Sequence, residues 1–155
     1  PACILCNRAD DNSNLYGPKI ISGSICAHQF CLVFASDLCY KEIQIEDENM
    51  YMVSDILHAV QQAAQKECFK CGEKGASIAC QEVNCNRRFH FPCALEGSCI
   101  TQYFEPFRSF CWEHCPEQYM EAVPDDNPCL ICMDPVEDSV SYGTMVCPVC
   151  QHAWF

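Results

Sequence analysis

The sequence predicts a small α+β protein that is held together by bound metal ions rather than by a large apolar core. Seventeen of its 155 residues are cysteine, and eight of them stand in C-x-x-C pairs. Several further pairs join a histidine to a cysteine at the same spacing, and histidine takes no part in disulfide bonds. Metal sites are therefore favoured over disulfides, and this implies a reducing compartment, the nucleus or the cytosol.

The charge of the chain narrows the classes of partner. The formal net charge is -12, from 21 acidic and 9 basic residues. Binding along a nucleic-acid backbone requires clustered lysine and arginine, so DNA is not expected as a partner, whereas a basic protein tail is. Six of the nine basic residues lie in residues 66–108, and residues 109–155 carry none. No apolar run approaches the roughly 18 residues that cross a bilayer, so no membrane partner is expected.

The first block, residues 1–40, has the ligands for one zinc ion. It contains a C-x-x-C pair and, after a gap, an H-x-x-C pair: Cys3, Cys6, His28 and Cys31. Each pair can occupy two of the four positions of a tetrahedral site, and the loop between the pairs needs no structure of its own to close it. Cys26 and Cys39 remain, and we interpret them as small buried apolar side chains.

Residues 67–115 have the ligands for two zinc ions. The candidates fall into four pairs: Cys68 and Cys71, Cys80 and Cys85, His90 and Cys93, Cys111 and His114. Interleaved pairing would place the first and third pairs on one ion and the second and fourth on the other. Sequential pairing is the alternative, but it would leave two unconnected sites with almost no shared core. Phe89 and Phe91 are predicted to supply that core, while Cys99 and Cys115 are spare, with Cys115 an alternative to His114.

Residues 41–66 connect these blocks by an acidic stretch followed by a helix. Ser54 is a suitable N-cap, Asp55 suits the positive end of the helix dipole and Lys66 the negative end. The predicted buried face is formed by Ile56, Leu57, Val60, Ala63 and Ala64. We expect this helix to pack the first block onto the second.

The order of these twelve ligands, with the stretches KGASIAC, RRFHFPC and SFCWEHCP, resembles the extended PHD finger over residues 3–115. In that family a C2HC pre-PHD finger and a connecting helix pack on a cross-braced PHD finger. The resemblance implies three structural zinc ions and a chromatin-associated RING-type E3 ubiquitin ligase of the nucleus. Its expected partners are a basic histone tail or another nuclear protein, and a ubiquitin-conjugating enzyme.

One position departs from the family pattern. Many methyl-lysine readers place a tryptophan just before the Phe-His pair, where it contributes to an aromatic cage. This chain has Arg88 there, preceded by Arg87, so the usual cage is not expected. The two arginines would attract a phosphate or an acidic surface, or they are solvated surface residues.

Residues 116–128 are predicted to form a flexible, acidic, proline-rich tether to a third finger at 129–155. Its candidate ligands are Cys129, Cys132, Cys147, Cys150 and His152. Cys129-Leu130-Ile131-Cys132 resembles the opening of a RING finger, in which Ile131 would contact the ubiquitin-conjugating enzyme and Cys150 and His152 would be the third and fourth ligands.

Two other arrangements of this finger remain open. The four cysteines are the first half of another PHD-type finger, with Trp154 and Phe155 before its histidine, or they close on a single fourth zinc. In the first two arrangements the finger is incomplete at Phe155, so we expect little ligase activity from this chain alone.

The sequence argues against catalysis by the metal. A hydrolytic zinc site keeps an open coordination position, whereas the predicted sites have four protein ligands each. Motifs of metalloproteases, deaminases and serine hydrolases are absent from the sequence, and no catalytic residue is predicted. Two functions remain: part of an E3 ubiquitin ligase, or a non-enzymatic module that binds histones or other proteins.

Overall fold

The computed structural model describes residues 1–38, 51–117, 128–129, 131–135, 142–143, 145–146 and 153–154. The chain divides into two compact units, Pro1–His114 and Cys115–Phe155. Residues 118–127 of the predicted tether, Cys39 and three candidate ligands of the third finger lie outside the described residues; these ligands are Cys147, Cys150 and His152. No helix within the described ranges has the length and apolar character needed to span a membrane.

The first unit consists of short helices and two-stranded sheets, as predicted for a small α+β zinc protein. Its elements are α1 (Ser13–Tyr16), β1 (Lys19–Ser22), β2 (Ile25–His28), α2 (Gln29–Val33), α3 (Val53–Ala63), β3 (Ile78–Ala79), β4 (Arg88–Phe89), α4 (Phe91–Glu96), β5 (Ile100–Thr101), β6 (Ser109–Phe110) and a 3₁₀ turn at Trp112–His114. The antiparallel pairs are β1 with β2, β3 with β4, and β5 with β6. Elements this short bury little apolar area, so the ligand clusters have to contribute to stability.

The hairpin of β1 and β2 brings the first histidine ligand into the interior. Its register pairs Lys19 with His28 and Ser22 with Ile25. All four residues of β2 are buried, and the backbone N–H of Ile4 donates to the carbonyl of Cys26 over 2.8 Å. The N-terminal residues therefore pack directly against the strand that ends in His28.

The connecting helix differs from its prediction in its start and its buried face. Helix α3 begins at Val53 with Met52 at the N-cap position and no side-chain cap, so Ser54 lies inside the first turn. Its buried residues are Ile56, Ala59 and Ala63, with Val60 half-buried, while Leu57 is 47% exposed and Ala64 is exposed. The buried side chains follow the helical spacing i, i+3, i+4, i+7 from Ile56. Ala59 lies on this buried face although it is small, and Leu57 lies off it although it is larger.

Phe91 is central to the core of the first unit. Its side chain is 1% exposed, and its ring contacts Tyr16, Phe30 and Phe34, with the Phe34 ring stacked at 5.6 Å between centroids. Phe89 is fully buried as well, which confirms the core role predicted for both phenylalanines. One cluster of buried side chains joins residues 3–35, α3 and residues 68–94.

In the second unit the structure describes a β-bridge and a pair of short strands. Pro128 and Pro135 form an antiparallel bridge around a turn that contains Cys129 and Cys132. Strands β7 (Met145–Val146) and β8 (Ala153–Trp154) form an antiparallel pair. The short antiparallel pair is the kind of element that small zinc fingers use.

Candidate metal centres

The structure gathers twelve cysteine and histidine side chains into three groups of four, and within each group the ligand atoms lie within 4.8 Å of one another. Site 1 is Cys3, Cys6, His28 and Cys31; site 2 is Cys68, Cys71, His90 and Cys93; site 3 is Cys80, Cys85, Cys111 and His114. All twelve are residues that the sequence singled out. His114, and not the alternative Cys115, belongs to site 3.

Sites 1 and 2 begin with the same backbone turn, which we call the knuckle turn. In this turn the backbone N–H of the first cysteine, residue i, donates to the carbonyl oxygen of residue i+5. The N–H of residue i+4 donates in turn to the carbonyl oxygen of the first cysteine. All four bonds measure 2.8 Å: Cys3 to Arg8 and Asn7 to Cys3 in site 1, Cys68 to Glu73 and Gly72 to Cys68 in site 2. Residue i+4 has a positive φ, 58° at Asn7 and 76° at Gly72, and asparagine and glycine tolerate this conformation.

The other half of each site is a strand, a histidine and a short helix. In site 1, His28 ends β2 and Cys31 lies in the first turn of α2. In site 2, His90 follows β4 and Cys93 lies in the first turn of α4. The one helical turn between histidine and cysteine directs both ligands to the same point, which explains the H-x-x-C spacing.

The histidine rings have the orientation that a metal ligand requires. His28 directs Nδ1 towards Cys6 Sγ at 3.5 Å and contacts the carbonyl oxygen of Asp10 through Nε2 at 2.8 Å. His90 repeats this, with Nδ1 at 3.5 Å from Cys71 Sγ and Nε2 at 3.2 Å from the carbonyl of Lys74. A proton on Nε2 donates to the carbonyl, so the lone pair of Nδ1 faces the thiols. The sequence did not indicate these carbonyls, because backbone acceptors carry no residue signature.

Site 3 has two half-buried ligands, Cys85 and His114, and is assembled around two strand ends. Cys80 follows β3 and Cys111 follows β6, while the 3₁₀ turn after Cys111 carries His114. His114 Nδ1 lies 3.3 Å from Cys111 Sγ and 3.7 Å from Cys80 Sγ. Cys85 Sγ is 4.0 Å from Cys111 Sγ.

The three groups fit zinc. Each offers three thiolates and one imidazole, a typical donor set of a closed structural zinc site. Zinc bond lengths imply separations of about 3.8 Å between two sulfurs and about 3.6 Å between sulfur and nitrogen in a tetrahedron, and the distances above lie close to these values. The protein is therefore a zinc protein with three structural sites among its described residues, and all four positions of each of these sites are filled by its own side chains.

The pairing of ligands in residues 67–115 is interleaved. The first and third pairs meet in site 2, and the second and fourth meet in site 3. Because β3 and β4 are antiparallel and pair Ile78 with Phe89, Cys80 and His90 leave the two strands at opposite ends and bind different ions. Each ion thus fastens segments that are distant in sequence, and the sequential alternative is not the one observed.

Comparison with known proteins agrees with this geometry. A family model described as a PHD-like zinc-binding domain matches residues 28–115. The chain belongs to this PHD-like family. Sites 2 and 3 lie wholly within the matched residues of the PHD-like domain, and site 1 lies partly outside them.

The PHD-like chain also resembles curated proteins. It is 36% identical over 159 residues to the G2/M phase-specific E3 ubiquitin-protein ligase of Gallus gallus, covering 100% of this chain and 21% of that protein. The human protein of the same name is 35% identical, covering 99% and 22%. Human PHD finger protein 11 is 28% identical over 102 residues, covering 64% and 30%. The chain thus spans about a fifth of the length of the ligases that it matches.

The thiols of each PHD-like site have divergent pKa values in the metal-free form. Hydrogen bonds from the thiols of Cys31 and Cys6 lower the pKa of Cys3, and the hydrogen bond to Cys3 raises the pKa of Cys6 to about 11. Burial raises the pKa of Cys93 to about 12 and that of Cys80 to about 11. Burial also lowers the pKa of His90, which keeps its imidazole neutral. Several thiols therefore carry protons at neutral pH that zinc has to displace.

The zinc affinity is expected to fall as the pH falls. Because the thiols of Cys6, Cys80 and Cys93 have pKa values raised to about 11 or 12, zinc displaces their protons throughout the neutral range. Affinity should drop by about tenfold per pH unit for each proton released. Competition with a chromophoric chelator between pH 8 and pH 6 measures it, after correction for the chelator's own protonation. An affinity that does not change with pH would contradict the displacement.

The structure gives Arg87 and Arg88 partners inside the fold. Arg88 Nη1 lies 2.9 Å from Asp37 Oδ2, so it joins the first block to the PHD-like finger. Arg87 pairs with Glu113, donates to Cys111 Sγ over 3.4 Å and lies 5.4 Å from the ring centroid of Trp112. Both arginines therefore have an acidic partner within the first unit. Sequence reasoning could not find these pairs, because Asp37 is 51 residues from Arg88.

The start of the third finger contains the knuckle turn again. Cys129 N–H donates to Asp134, and Met133 N–H donates back to Cys129, both over 2.8 Å. Met133 has a φ of 66°, which corresponds to Asn7 and Gly72 in the complete sites. Cys129 is fully buried and Cys132 exposed, while Ile131 is 77% exposed. The choice between RING-like, PHD-like and four-cysteine arrangements stays open, because the later ligands lie outside the described residues.

Proposed function

We propose that this chain is part of a chromatin-associated E3 ubiquitin ligase that acts in the nucleus. The extended PHD-like unit would bind a basic segment of a histone or another nuclear protein. The third finger would bind a ubiquitin-conjugating enzyme. Zinc supplies rigidity in all three fingers, and no residue of the chain forms a covalent bond with ubiquitin.

Similarity along the whole chain supports the ligase part of the proposal. The alignments to the G2/M phase-specific E3 ubiquitin-protein ligases of Gallus gallus and Homo sapiens cover 100% and 99% of this chain. They include the third finger as well as the PHD-like domain. The resemblance is therefore not confined to the zinc sites that many non-enzymatic proteins share.

The exposure of Ile131 is the observation that carries the enzyme-binding step. Ile131 lies between Cys129 and Cys132 and is 77% exposed, and Met133 beside it is 69% exposed. Two adjacent apolar side chains on a rigid turn suit a contact with another protein, since their burial on binding is favourable. The knuckle turn holds Ile131 at a fixed distance from the metal ligands.

The charge of the chain supports a basic partner. With a net charge of -12, it attracts lysine-rich and arginine-rich tails and repels nucleic acid. Of the basic residues in the PHD-like finger, Arg87 and Arg88 are engaged by Glu113 and Asp37. We infer that the unit binds protein tails on chromatin rather than DNA.

Replacing Ile131 by alanine is expected to reduce ubiquitin chain formation by roughly tenfold or more, the range of a central interface residue. The reaction is reconstituted with the chain in its full natural context, an activating enzyme and a panel of conjugating enzymes. Zinc content should not change, because Ile131 is not a ligand and is exposed.

The matched control is Ile21→Ala, which removes the same atoms from a side chain that is 64% exposed on β1. It should leave the rate unchanged. Equal rates for the Ile131→Ala variant and the native protein, or no chains with any conjugating enzyme, would contradict the ligase proposal.

The second candidate is a non-enzymatic interaction module. It is favoured by the family match, which covers residues 28–115 and not the third finger. A protein of this kind would bind basic peptides normally and form no ubiquitin chains. Measuring peptide binding and chain formation on the same preparation therefore separates the two functions.

A further inference from the structure

A partly enclosed pocket of about 320 Å³ lies in the first unit, and none of the residues that line it is a metal ligand. Its walls come from β1, α2, Tyr51 and the loop between β5 and β6. The residues lining it are Ile20, Gln29, Phe30, Val33, Tyr51, Tyr103, Glu105 and Phe107. The volume is within the range of pockets that bind small ligands or single side chains.

The walls of this pocket are mainly aromatic. The rings of Phe30 and Tyr103 stand at 79° to each other with 5.1 Å between centroids. Tyr103 also packs edge-on against Phe34 behind the pocket, yet it remains 52% exposed. Phe107 completes this side from a tight turn, in which its N–H donates to the carbonyl of Phe104 over 2.7 Å. The rings are thus fixed by the core and still accessible from solvent.

The charge of the pocket selects a cation. Among the described residues that line it, Glu105 is the one with a formal charge. Two basic residues adjoin the lining residues in sequence. Lys19, beside Ile20, pairs with Asp11 and donates to the carbonyl of Ala9 over 2.7 Å. Arg108, beside Phe107, is exposed and does not line the pocket. Aromatic faces attract cations, and a carboxylate at the rim adds to that attraction. The same ring faces and carboxylate would repel an anion.

We propose that this pocket binds a lysine side chain of a basic protein segment, an inference that rests on the proposed role of the chain as a reader of such segments. The aliphatic stem would lie on Ile20 and Val33, and the ammonium group would lie among the rings near Glu105. Lysine is favoured over arginine because rings at right angles enclose a rounded ammonium, whereas a planar guanidinium stacks between parallel surfaces.

The proposed lysine pocket does not lie at the position where the family pattern places its aromatic cage. Arg88 stands where a cage tryptophan would stand, and it is paired with Asp37. The aromatic pocket uses α2 of the first block together with the loop after β5, so it requires the first block and the PHD-like finger to be packed together. Binding there needs no contact with a zinc ligand.

The test measures binding of a fluorescent lysine-containing peptide to the zinc-loaded chain by anisotropy, with a matched peptide in which each lysine is acetylated. Glu105→Gln should weaken binding of the lysine peptide by about tenfold at low salt. Tyr103→Leu should weaken it by about fivefold, and Tyr103→Phe, which keeps the ring, should bind like the native protein. The acetylated peptide should bind weakly to all of them.

Glu82→Gln is the matched control, since it removes the same charge from an exposed residue that does not line the pocket. Zinc content and circular dichroism confirm that each variant is folded. Equal weakening by Glu105→Gln and Glu82→Gln, or equal binding of the acetylated peptide, would overturn the pocket assignment. Chain formation is measured separately, so failure of the pocket and failure of the ligase proposal are distinguishable.

Discussion

Removal of zinc is expected to unfold residues 1–114. Each structural site of this kind contributes roughly 10 to 16 kcal/mol of apparent binding free energy at neutral pH, whereas the net stability of a domain is only about 5 to 15 kcal/mol. Three sites hold this unit, and its strands are two to four residues long. Far-UV circular dichroism and limited proteolysis before and after treatment with 1,10-phenanthroline measure the loss, and added zinc should reverse it.

Two controls make this result specific. The isomer 1,7-phenanthroline has the same rings but cannot chelate, so it should leave the spectrum unchanged. Among variants, Cys93→Ser should release the zinc of site 2 and destabilise the unit. Cys99→Ser should have little effect, because Cys99 is a half-buried cysteine outside the ligand groups. Retention of the spectrum and of protease resistance after metal removal would contradict the structural role of zinc.

Replacing Phe91 by alanine is expected to lower the free energy of unfolding by about 3 to 5 kcal/mol, the usual cost of deleting a fully buried phenylalanine. Phe91 is 1% exposed and touches Tyr16, Phe30 and Phe34 across the boundary between the first block and the PHD-like finger. The substitution would leave a cavity where the first block packs against the PHD-like finger. Guanidinium denaturation of the zinc-saturated protein measures the change.

Phe104→Ala is the matched control, since Phe104 is 60% exposed. It should change the free energy of unfolding by less than about 1 kcal/mol. Zinc content measured below the transition shows whether Phe91→Ala keeps its three ions in the folded state. Equal and small effects of the two substitutions would mean that the rings around Phe91 do not hold the two parts together.

Much of the candidate site could be predicted from the sequence because each ligand pair is local. A C-x-x-C pair in a knuckle turn, or an H-x-x-C pair at the start of a helix, is determined within six residues of backbone. The spacing of Cys3 and Cys6, or of His90 and Cys93, therefore identifies ligands before any tertiary contact is known. The order of the pairs then favoured the interleaved arrangement.

The features that differ from the sequence-based predictions depend on contacts with residues that are distant in sequence. Leu57 was predicted to be buried and Ala59 was passed over, because the orientation of α3 is decided by what Ile56 packs against and not by hydrophobicity alone. Ser54 was expected to cap the helix, but the chain already turns at Met52. Arg88 finds Asp37 across 51 residues, a separation at which local pattern has no predictive power.

The sequence by itself determined which residues bind zinc in the first unit, that the fold is small and metal-dependent, and that its charge suits a basic partner. These properties follow from side-chain chemistry and short-range spacing. Only the tertiary structure decided which carbonyls orient the histidines, which acids pair with the arginines, and that aromatic residues from α2 and from the loop after β5 meet at Glu105. Those properties arise where segments that are separate in sequence come together, and the energy of each contact depends on how both segments are packed.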